Sequence, residues 1–258
     1  MAAPRADARA RLKTDGQRVT LPRGLSKLGY CSRTQAEALI RAGRVAVDGR
    51  TITDTEAWID LAGARISVDG NQVAAEKFVY LMLNKPRGLV TTRNDPQGRP
   101  TVYECLKGED SAHLSPVGRL DKASEGLLLF SNDTQFANAL LDPKTHVAKT
   151  YHVQIDRLPD AATLEALRRG ITDEGEFLSA RRVEILRTGD RNAWLEIELD
   201  EGRNRQIRRM LESLKIATLR LVRVAIGDLR LGALEKGAVR PLTADELARL
   251  RQQSGMAR

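Results

Sequence analysis

The stretch GRLDKASEGLLLF, residues 118–130, decides how the rest of the sequence is interpreted. Its last four residues, 127–130, are apolar and lie between a glycine and the turn-forming triplet Ser-Asn-Asp, which is typical of a short strand buried on both faces. Just before this strand, Asp121 stands close to two cations, Arg119 and Lys122. A loop that leads into a buried strand can hold a reactive group in place. From local chemistry alone, however, Asp121 is more often a turn residue with solvated charged neighbours than a reactive group.

The stretch resembles the catalytic-loop motif of the bacterial ribosomal pseudouridine synthases of the RsuA-like group. That motif has Gly-Arg-Leu-Asp, two variable positions, Ser or Thr, one variable position, and then Gly-Leu-Leu with an apolar strand. The resemblance implies that Asp121 is the catalytic aspartate. It also implies that Arg119 and Lys122, on either side of it, hold the RNA backbone. Position 124 is Ser where many members have Thr, so the hydroxyl group is kept.

Length and charge distribution limit the possible classes of protein. A chain of 258 residues, 41% of them apolar, is long enough for one large domain or two unequal ones. A net charge of +8 suits a polyanionic partner, although it also serves solubility. Most of the excess is concentrated in residues 1–50, which hold 11 Lys and Arg against four acids. A second basic cluster, residues 201–223, holds seven against two, and two such clusters favour a nucleic-acid partner.

The cysteine and histidine positions give no sign of a metal site or of a disulfide framework. Cys31 and Cys105 are far apart in sequence, and the three histidines lack ligand spacing. A reduced, cytoplasmic location is therefore expected. No apolar run approaches the roughly 18 residues of a membrane-spanning helix, so no membrane association is expected. Residues 1–18 are rich in Ala and Arg and lack an apolar signal core, which predicts a disordered basic tail.

Residues 20–52 carry the signals of a helix followed by a hairpin. Ser32–Gln35 fits a capping box at the start of a helix, and Gly43 fits its C-terminal end. Alternating valines at 45–47 then lead into Asp-Gly at 48–49, which is a hairpin turn signal. The pattern alone is compatible with a generic helix–hairpin module whose arginines are solvated.

The segment LPRGLSKLGYCSRTQAEALIRAGRVAVDG, residues 21–49, resembles the S4 RNA-binding domain. The resemblance implies a small α/β RNA-binding domain that, together with a linker, occupies residues 19–75. It also implies that the exposed arginines of this module contact RNA, and the candidates are Arg33, Arg41 and Arg44.

A second domain is expected over residues 76–253. A buried strand is predicted at 78–83, extended structure resumes at 89–92, and an alternating strand covers 149–155. The last of these resembles the Lys-x-Tyr-x-Val segment of the synthases, which implies that Tyr151 lines the uridine pocket and packs against the base. Without the resemblance, a lone Tyr in a strand is more often simple core packing. Four loop cations are candidates for phosphate contacts, or for ordinary surface charges: Lys85, Arg87, Arg93 and Arg99.

The stretch EGRNRQIRRM, residues 201–210, begins a predicted basic amphipathic helix, with Asn204 as its expected cap. Such a helix is common on protein surfaces. However, this stretch closely resembles the third motif of the synthases, which implies that Arg208 forms an ion pair with Asp121. Lys215 stands where the family pattern leads us to expect Gly. The remaining arginines of the stretch are expected to contact RNA: Arg203, Arg205 and Arg209.

Together these motifs predict an α+β protein: a small S4-like domain followed by a mixed, mainly antiparallel sheet with flanking helices. The reaction that the resemblance implies breaks the N1–C1′ bond of uridine, turns the flipped-out base and joins C5 to C1′. Because it loses no atoms or electrons, neither a cofactor nor a metal is expected, and the sequence has no P-loop or GxGxxG motif. The reaction needs an ionised carboxylate that acts as nucleophile or base.

The expected substrate is ribosomal RNA, free or in a ribosome assembly intermediate, and the protein is expected to be a monomer. Large-subunit (23S) RNA is preferred over 16S RNA because residues 93–102, RNDPQGRPTV, look more like the large-subunit enzymes. Two alternatives remain open at this point. One is a non-catalytic RNA-binding assembly factor with the same fold. The other is a glycosidase that pairs Asp121 with Glu125.

Overall fold

The computed structural model describes four segments of the chain: residues 18–61, 63–73, 78–106 and 114–256. The chain divides into two compact units, Met1–Glu76 and Lys77–Arg258. The predicted basic tail therefore lies outside the described residues, apart from Arg18, which belongs to a strand. No helix in the described segments is long and apolar enough to cross a membrane.

The described part of the first unit contains two helices and two small sheets. The helices are α1 (Leu21–Lys27) and α2 (Arg33–Arg41). The strands are β1 (Arg18–Thr20), β2 (Val45–Val47), β3 (Arg50–Thr51), β4 (Trp58–Asp60), β5 (Ile66–Val68) and β6 (Asn71–Gln72). One sheet pairs β1 with β4, and the other has the order β3-β2-β5-β6. Residues 53–73, in the part expected to hold the end of the module and a linker, contribute three strands, β4, β5 and β6.

Local sequence signals explain most of this unit. The side chain of Ser32 accepts a hydrogen bond from the Gln35 amide, and the Gln35 side chain accepts one from the Ser32 amide, so the predicted capping box is confirmed. Asp48 and Gly49 both have positive φ, at 50° and 79°, as a tight β-hairpin turn requires. The core of the unit includes Ile40 from α2, which has no solvent exposure.

The second unit is built on one nine-stranded sheet and a separate two-stranded hairpin. The main path of the sheet is β13-β14-β10-β15-β9-β7-β17, with β16 beside β15 and β8 beside β9, while β11 and β12 pair with each other. Neighbouring strands are antiparallel except β9 and β15, which run parallel. The bounds are β7 (Tyr80–Lys85), β8 (Ser115–Val117), β9 (Glu125–Ser131), β10 (Lys149–Ile155), β11 (Ile171–Asp173), β12 (Glu176–Leu178), β13 (Arg182–Thr188), β14 (Ala193–Leu199), β15 (Thr218–Ile226), β16 (Leu229–Arg230) and β17 (Val239–Pro241).

Four α-helices and two short 3-10 helices flank the described part of this sheet. Side chains cap three of the α-helices at their N-termini: Asp133, Asp160 and Thr243. The helices are α3 (Thr134–Leu141), α4 (Ala161–Arg169), α5 (Gln206–Ser213) and α6 (Ala244–Gln253), and the 3-10 helices are Val102–Leu106 and Pro143–Thr145. The predicted α+β class with a mixed, mainly antiparallel sheet is confirmed.

The predicted central strand, β9, is buried along its whole length. Leu127 and Leu129 belong to one hydrophobic cluster, whereas Leu128 and Phe130 belong to a second cluster. Because successive side chains of a strand point to opposite faces, β9 is covered on both sides, as the sequence predicts.

Two local predictions differ from the structure. Residues 89–92 form no strand; Val90 makes only an isolated bridge with Thr101. The strand predicted at 78–83 instead runs from Tyr80 to Lys85, because its pairing with β9 continues as far as Gly126. This extension places Lys85 inside the sheet.

Candidate active site

An open cleft of about 620 Å³ lies between the loop before β9, strands β10 and β15, and the segment that leads into α5. Asp121 and Tyr151, two of the predicted site residues, line it together. Three of the predicted RNA-contacting cations line the same cleft: Arg119, Arg203 and Arg205. The structure thus brings residues from all three sequence motifs of the second unit to one place.

The loop that carries Asp121 is held by its backbone carbonyl groups. Lys85 donates from Nζ to the carbonyl oxygens of Asp121 (3.2 Å), Ser124 (2.8 Å) and Pro86 (3.1 Å). Lys85 has no solvent exposure, so the expectation that it contacts phosphates is wrong. Burial lowers the pKa of Lys85 to about 8, although the negative charge of Asp121 opposes this shift.

The other carbonyl groups of the loop also have partners. Thr91 donates to Leu120 O at 2.7 Å, and the Gly88 amide donates to Lys122 O at 2.8 Å. Arg208 donates from Nη2 to Ala123 O at 3.3 Å. Five consecutive carbonyl groups, 120–124, are therefore bonded to the surrounding structure. Because these carbonyl groups have hydrogen-bond partners, the loop backbone is held in place, and this fixes the direction in which the Asp121 side chain points.

Asp121 and Arg208, separated by 87 positions, lie at ion-pair distance. Arg208 Nε is 4.0 Å from Asp121 Oδ2, and the two side chains are 10% and 37% exposed, respectively. Burial lowers the pKa of Arg208, and the nearby charge of Arg205 lowers it further. Arg208 Nε has no hydrogen-bond partner within the described part of the chain. The carboxylate of Asp121 is consequently open to the cleft while a buried positive charge lies behind it.

Tyr151 lies on β10, opposite Arg223 of β15 and Ile197 of β14. It is only 9% exposed, because it packs within the larger hydrophobic cluster. It also lines the cleft, so its ring is available to a flat ligand there. This placement suits the predicted packing against a base.

The flanking cations of the loop differ in position. Arg119 and Lys122 are both exposed, but only Arg119 is among the residues that line the cleft. Arg205 also lines the cleft and has φ at +49° as the N-cap residue of α5. Asn204 is therefore not the cap, contrary to expectation, and no side chain caps α5 from the N-cap position. Lys215, where Gly was expected, adopts the left-handed conformation itself, with φ at +58°.

Two arginines of the third motif are used inside the protein. Arg209 forms ion pairs with Asp173 and Glu176, each at 2.6 Å, and its side chain is only 15% exposed. We therefore withdraw the expectation that Arg209 contacts RNA, because its hydrogen-bonding groups join α5 to the β11–β12 hairpin. Arg203 is more exposed but pairs with Glu176 at 2.7 Å and with Glu201 at 2.9 Å.

The three arginines proposed for the first unit are all exposed. Arg41 pairs with Glu37 at 3.0 Å, and Arg44 bonds Asp69 with Nε at 2.8 Å. Arg33 has no ion-pair partner among the residues that the structure describes, so its charge is fully available to a ligand.

Glu125 does not face the cleft. Its side chain is 4% exposed and bonds Arg220 and Lys236. A carboxylate pair with Asp121, as a glycosidase needs, is therefore not formed. Nor do the described segments contain a group of His, Cys, Asp and Glu side chains that could hold a metal ion.

Sequence reasoning missed two further cations that line the cleft, Lys149 and Arg223, which are only 8% and 6% exposed. Lys149 precedes Tyr151 by two positions in an alternating strand, so the two side chains share one face of the sheet. The alternating pattern of β10 could have indicated this burial, because Lys149 occupies one of the alternate positions whose other side chains face the core.

Comparisons with known proteins agree with this arrangement. Residues 79–213 match the family described as RNA pseudouridylate synthase, and residues 19–56 match the S4 domain. A Bacillus subtilis (strain 168) protein named ribosomal large subunit pseudouridine synthase B is 36% identical over 234 residues, covering 90% of this chain and 95% of the relative. An Aquifex aeolicus (strain VF5) protein named as an uncharacterized RNA pseudouridine synthase is 35% identical, with 92% and 96% covered.

A solved structure gives the same result. A crystal structure described as a pseudouridylate synthase superposes with a TM-score of 0.64 at 30% identity, covering 90% of this chain and 99% of that one. The matched ranges contain the loop of Asp121, the strand of Tyr151 and the helix of Arg208. This chain therefore belongs to the RNA pseudouridylate synthase family and carries an S4 domain ahead of its synthase domain.

Proposed function

We propose that this protein converts a uridine of large-subunit ribosomal RNA to pseudouridine, with Asp121 as the catalytic carboxylate. The observation that carries the proposal is the placement of Asp121 in the cleft, 4.0 Å from the buried guanidinium of Arg208. The loop of Asp121 is bonded at five consecutive carbonyl groups, so the carboxylate starts from a fixed position.

The reaction requires the Asp121 carboxylate to be ionised and close to the sugar. The positive charge of Arg208 lies 4.0 Å from the carboxylate and attracts it, and Arg208 is itself held by the carbonyl of Ala123. Asp121 then acts on the ribose as nucleophile or base while the N1–C1′ bond breaks. The base turns, C5 joins C1′, the C5 proton is lost and N1 gains a proton, so atoms and electrons balance.

The target base must leave its stack to reach Asp121. Extrusion of a base costs a few kcal/mol, which contacts in the pocket offset. Tyr151 offers a ring for packing, and the exposed cations Arg119 and Arg205 at the cleft suit the phosphates on either side of the base. Arg33, Arg41 and Arg44 of the S4 domain add positive charge that raises affinity for RNA.

The choice of large-subunit RNA as the substrate rests on the names of the relatives. The Bacillus subtilis protein, named as a large-subunit enzyme, is aligned over nearly the whole of this chain, including both domains. A non-catalytic assembly factor would not need the cleft, Asp121, Tyr151 and Arg208 to be kept together.

The test is a map of pseudouridines in ribosomal RNA, read as reverse-transcriptase stops at carbodiimide adducts. Cells that lack the protein are compared with cells that express the wild type, Asp121→Asn or the control Asp190→Asn, which changes an exposed carboxylate outside the cleft. We expect one large-subunit stop that disappears on deletion and returns with the wild type and the control but not with Asp121→Asn. A large-subunit map that deletion leaves unchanged would refute the proposed substrate.

A further inference from the structure

Lys149 and Arg223 are buried cations that pair with no carboxylate of the described segments. They lie on neighbouring strands, β10 and β15, and each is more than nine-tenths buried. Neither forms a salt bridge with any described residue. Arg223 donates from Nε to Leu127 O at 2.8 Å, but its Nη2 atom has no partner in the described segments. Burial lowers the pKa of Lys149, and the like charge of Arg223 lowers it further.

The carboxylates near the Lys149–Arg223 pair form ion pairs with other arginines. Two carboxylates line the described part of the cleft: Asp121, which pairs with Arg208, and Glu201, which is 2.9 Å from Arg203. Asp200 acts on Lys149 at longer range, but it is bonded to Arg181 at 3.2 Å. Two buried like charges are costly unless an opposite charge or strong acceptors reach them. Among the described residues, the Leu127 carbonyl is bonded to Arg223 and no carboxylate pairs with either cation, so a ligand with acceptor oxygens would complete the hydrogen bonding of the pair.

The depth of the pair indicates which part of the RNA it meets. The exposed cations Arg119 and Arg205 suit phosphates, which remain in the solvated backbone. Lys149, by contrast, shares a sheet face with Tyr151, and Arg223 is the cross-strand partner of Tyr151. A base that packs on Tyr151 therefore brings its carbonyl oxygens towards the pair.

We propose that Lys149 and Arg223 bind the O2 or O4 oxygen of the target uracil and stabilise the negative charge on the detached base. This inference rests on the proposed function. When the N1–C1′ bond breaks, its electron pair goes to N1 and is delocalised onto O2 and O4. Lys149 donates a hydrogen bond to this charge, and Arg223 adds a second positive charge beside it. Formation of the C5–C1′ bond uses this electron pair and removes the charge. C5 then loses its proton and N1 gains one.

The test uses the full-length protein and an RNA fragment that contains the uridine mapped above. Single-turnover rates are measured at saturating enzyme by tritium release from [5-³H]uridine, and the Kd is measured by filter binding. The variants are Lys149→Met and Arg223→Gln, with Lys149→Arg and Arg223→Lys as charge-keeping versions. Arg230→Gln is the matched control, because Arg230 is exposed on β16, which pairs with β15, and does not line the cleft.

We expect each charge-removing variant to lose about a hundredfold in the saturated rate, as removal of an oxyanion-stabilising donor does, with Kd unchanged within error. The charge-keeping versions should recover part of the rate. With 5-fluorouridine at the target site, the loss should shrink, because fluorine withdraws electrons and stabilises the departing base. The rate is then measured as consumption of 5-fluorouridine by mass spectrometry of nuclease digests. A residue that only supports the fold would reduce both rates equally.

Three results would overturn the inference. The first is a normal saturated rate in Lys149→Met and Arg223→Gln. The second is a normal saturated rate with a raised Kd, together with a slope of log binding constant against log salt concentration that is reduced by about one. That result would assign the pair to a phosphate contact. The third is an equal loss on uridine and 5-fluorouridine. If the wild type itself releases no tritium, the proposed function has failed instead.

Discussion

Replacing Lys85 by Met tests how the loop of Asp121 is held. The substitution keeps the length of the side chain but removes three hydrogen bonds to backbone carbonyls. The carbonyl of Asp121 keeps its bond from the Ser124 amide at 2.9 Å, so two carbonyls, those of Pro86 and Ser124, lose the partner that Lys85 gave them. At about 1–3 kcal/mol each, their loss costs about 2–6 kcal/mol.

An opposing effect comes from the burial of the Lys85 charge. Its pKa falls from 10.5 to about 8, and this shift of about 2.5 units corresponds to about 3 kcal/mol that the substitution relieves. The net change in stability at pH 7 therefore lies between a gain of about 1 kcal/mol and a loss of about 3 kcal/mol. The loss of rate should be about a hundredfold, because a displacement of the Asp121 loop by about 1 Å has that effect on a reaction.

The same substitution gives a stability difference that depends on pH. Because the folded pKa of Lys85 lies below 10.5, the unfolded chain binds more protons between about pH 8 and 10.5, and wild-type stability rises with pH in that window. The difference between the wild type and Lys85→Met should grow by about 1.4 kcal/mol from pH 7 to pH 9, whereas other groups titrate alike in both proteins. Urea denaturation at both pH values measures it.

Lys144→Met, which changes an exposed lysine, is the control and should alter stability by less than about 0.5 kcal/mol at either pH. A difference between wild type and Lys85→Met that stays flat or falls with pH would refute the assigned burial of a charged Lys85. Full activity in Lys85→Met would refute its role in holding the loop.

Other predictions concern packing and charge. Gly126→Ala should unfold the synthase domain, because the added Cβ would lie 2.2 Å from the Arg223 carbonyl oxygen and the residue has a φ of +102°. Gly202→Ala is the control: its Cβ would meet nothing within 4 Å, so it should not change thermal unfolding. Arg209→Met should lower the melting temperature, because its ion pairs with Asp173 and Glu176 are lost, and it should leave the salt dependence of RNA binding unchanged. A changed salt dependence would show that Arg209 contacts RNA. Arg33→Met should instead reduce the slope of log RNA-binding constant against log salt concentration by about one, without loss of stability. An unchanged slope would contradict the role of Arg33 in RNA binding.

Short-range signals in the sequence predicted much of this fold. The capping box of Ser32 depends only on near neighbours, and the continuous apolar run after Asp121 is by itself the pattern of a strand buried on both faces. The ion pair of Asp121 and Arg208 was expected from the family resemblance alone, since 87 positions separate the two residues.

The errors involve contacts between distant segments. The partners of Lys85 include carbonyls 36 and 39 positions away, so its burial has no local signal, and a lysine after an apolar run suggests solvent. The use of Arg209 inside the protein likewise depends on Asp173, which is 36 positions away. The cap of α5 was misplaced because Arg205 adopts a left-handed conformation that a propensity argument assigns to Asn rather than Arg.

The strand order of the synthase domain has a consequence for synthesis of the protein on the ribosome. Its first strand, β7, pairs with its last, β17, and the side chain of Asn84 bonds the carbonyl of Leu234, 150 positions later. The sheet is thus incomplete until nearly the whole chain has left the exit tunnel. The S4 domain closes on itself within residues 18–73 and can fold while translation continues. The nascent chain therefore acquires a folded RNA-binding module well before it acquires a working catalytic cleft.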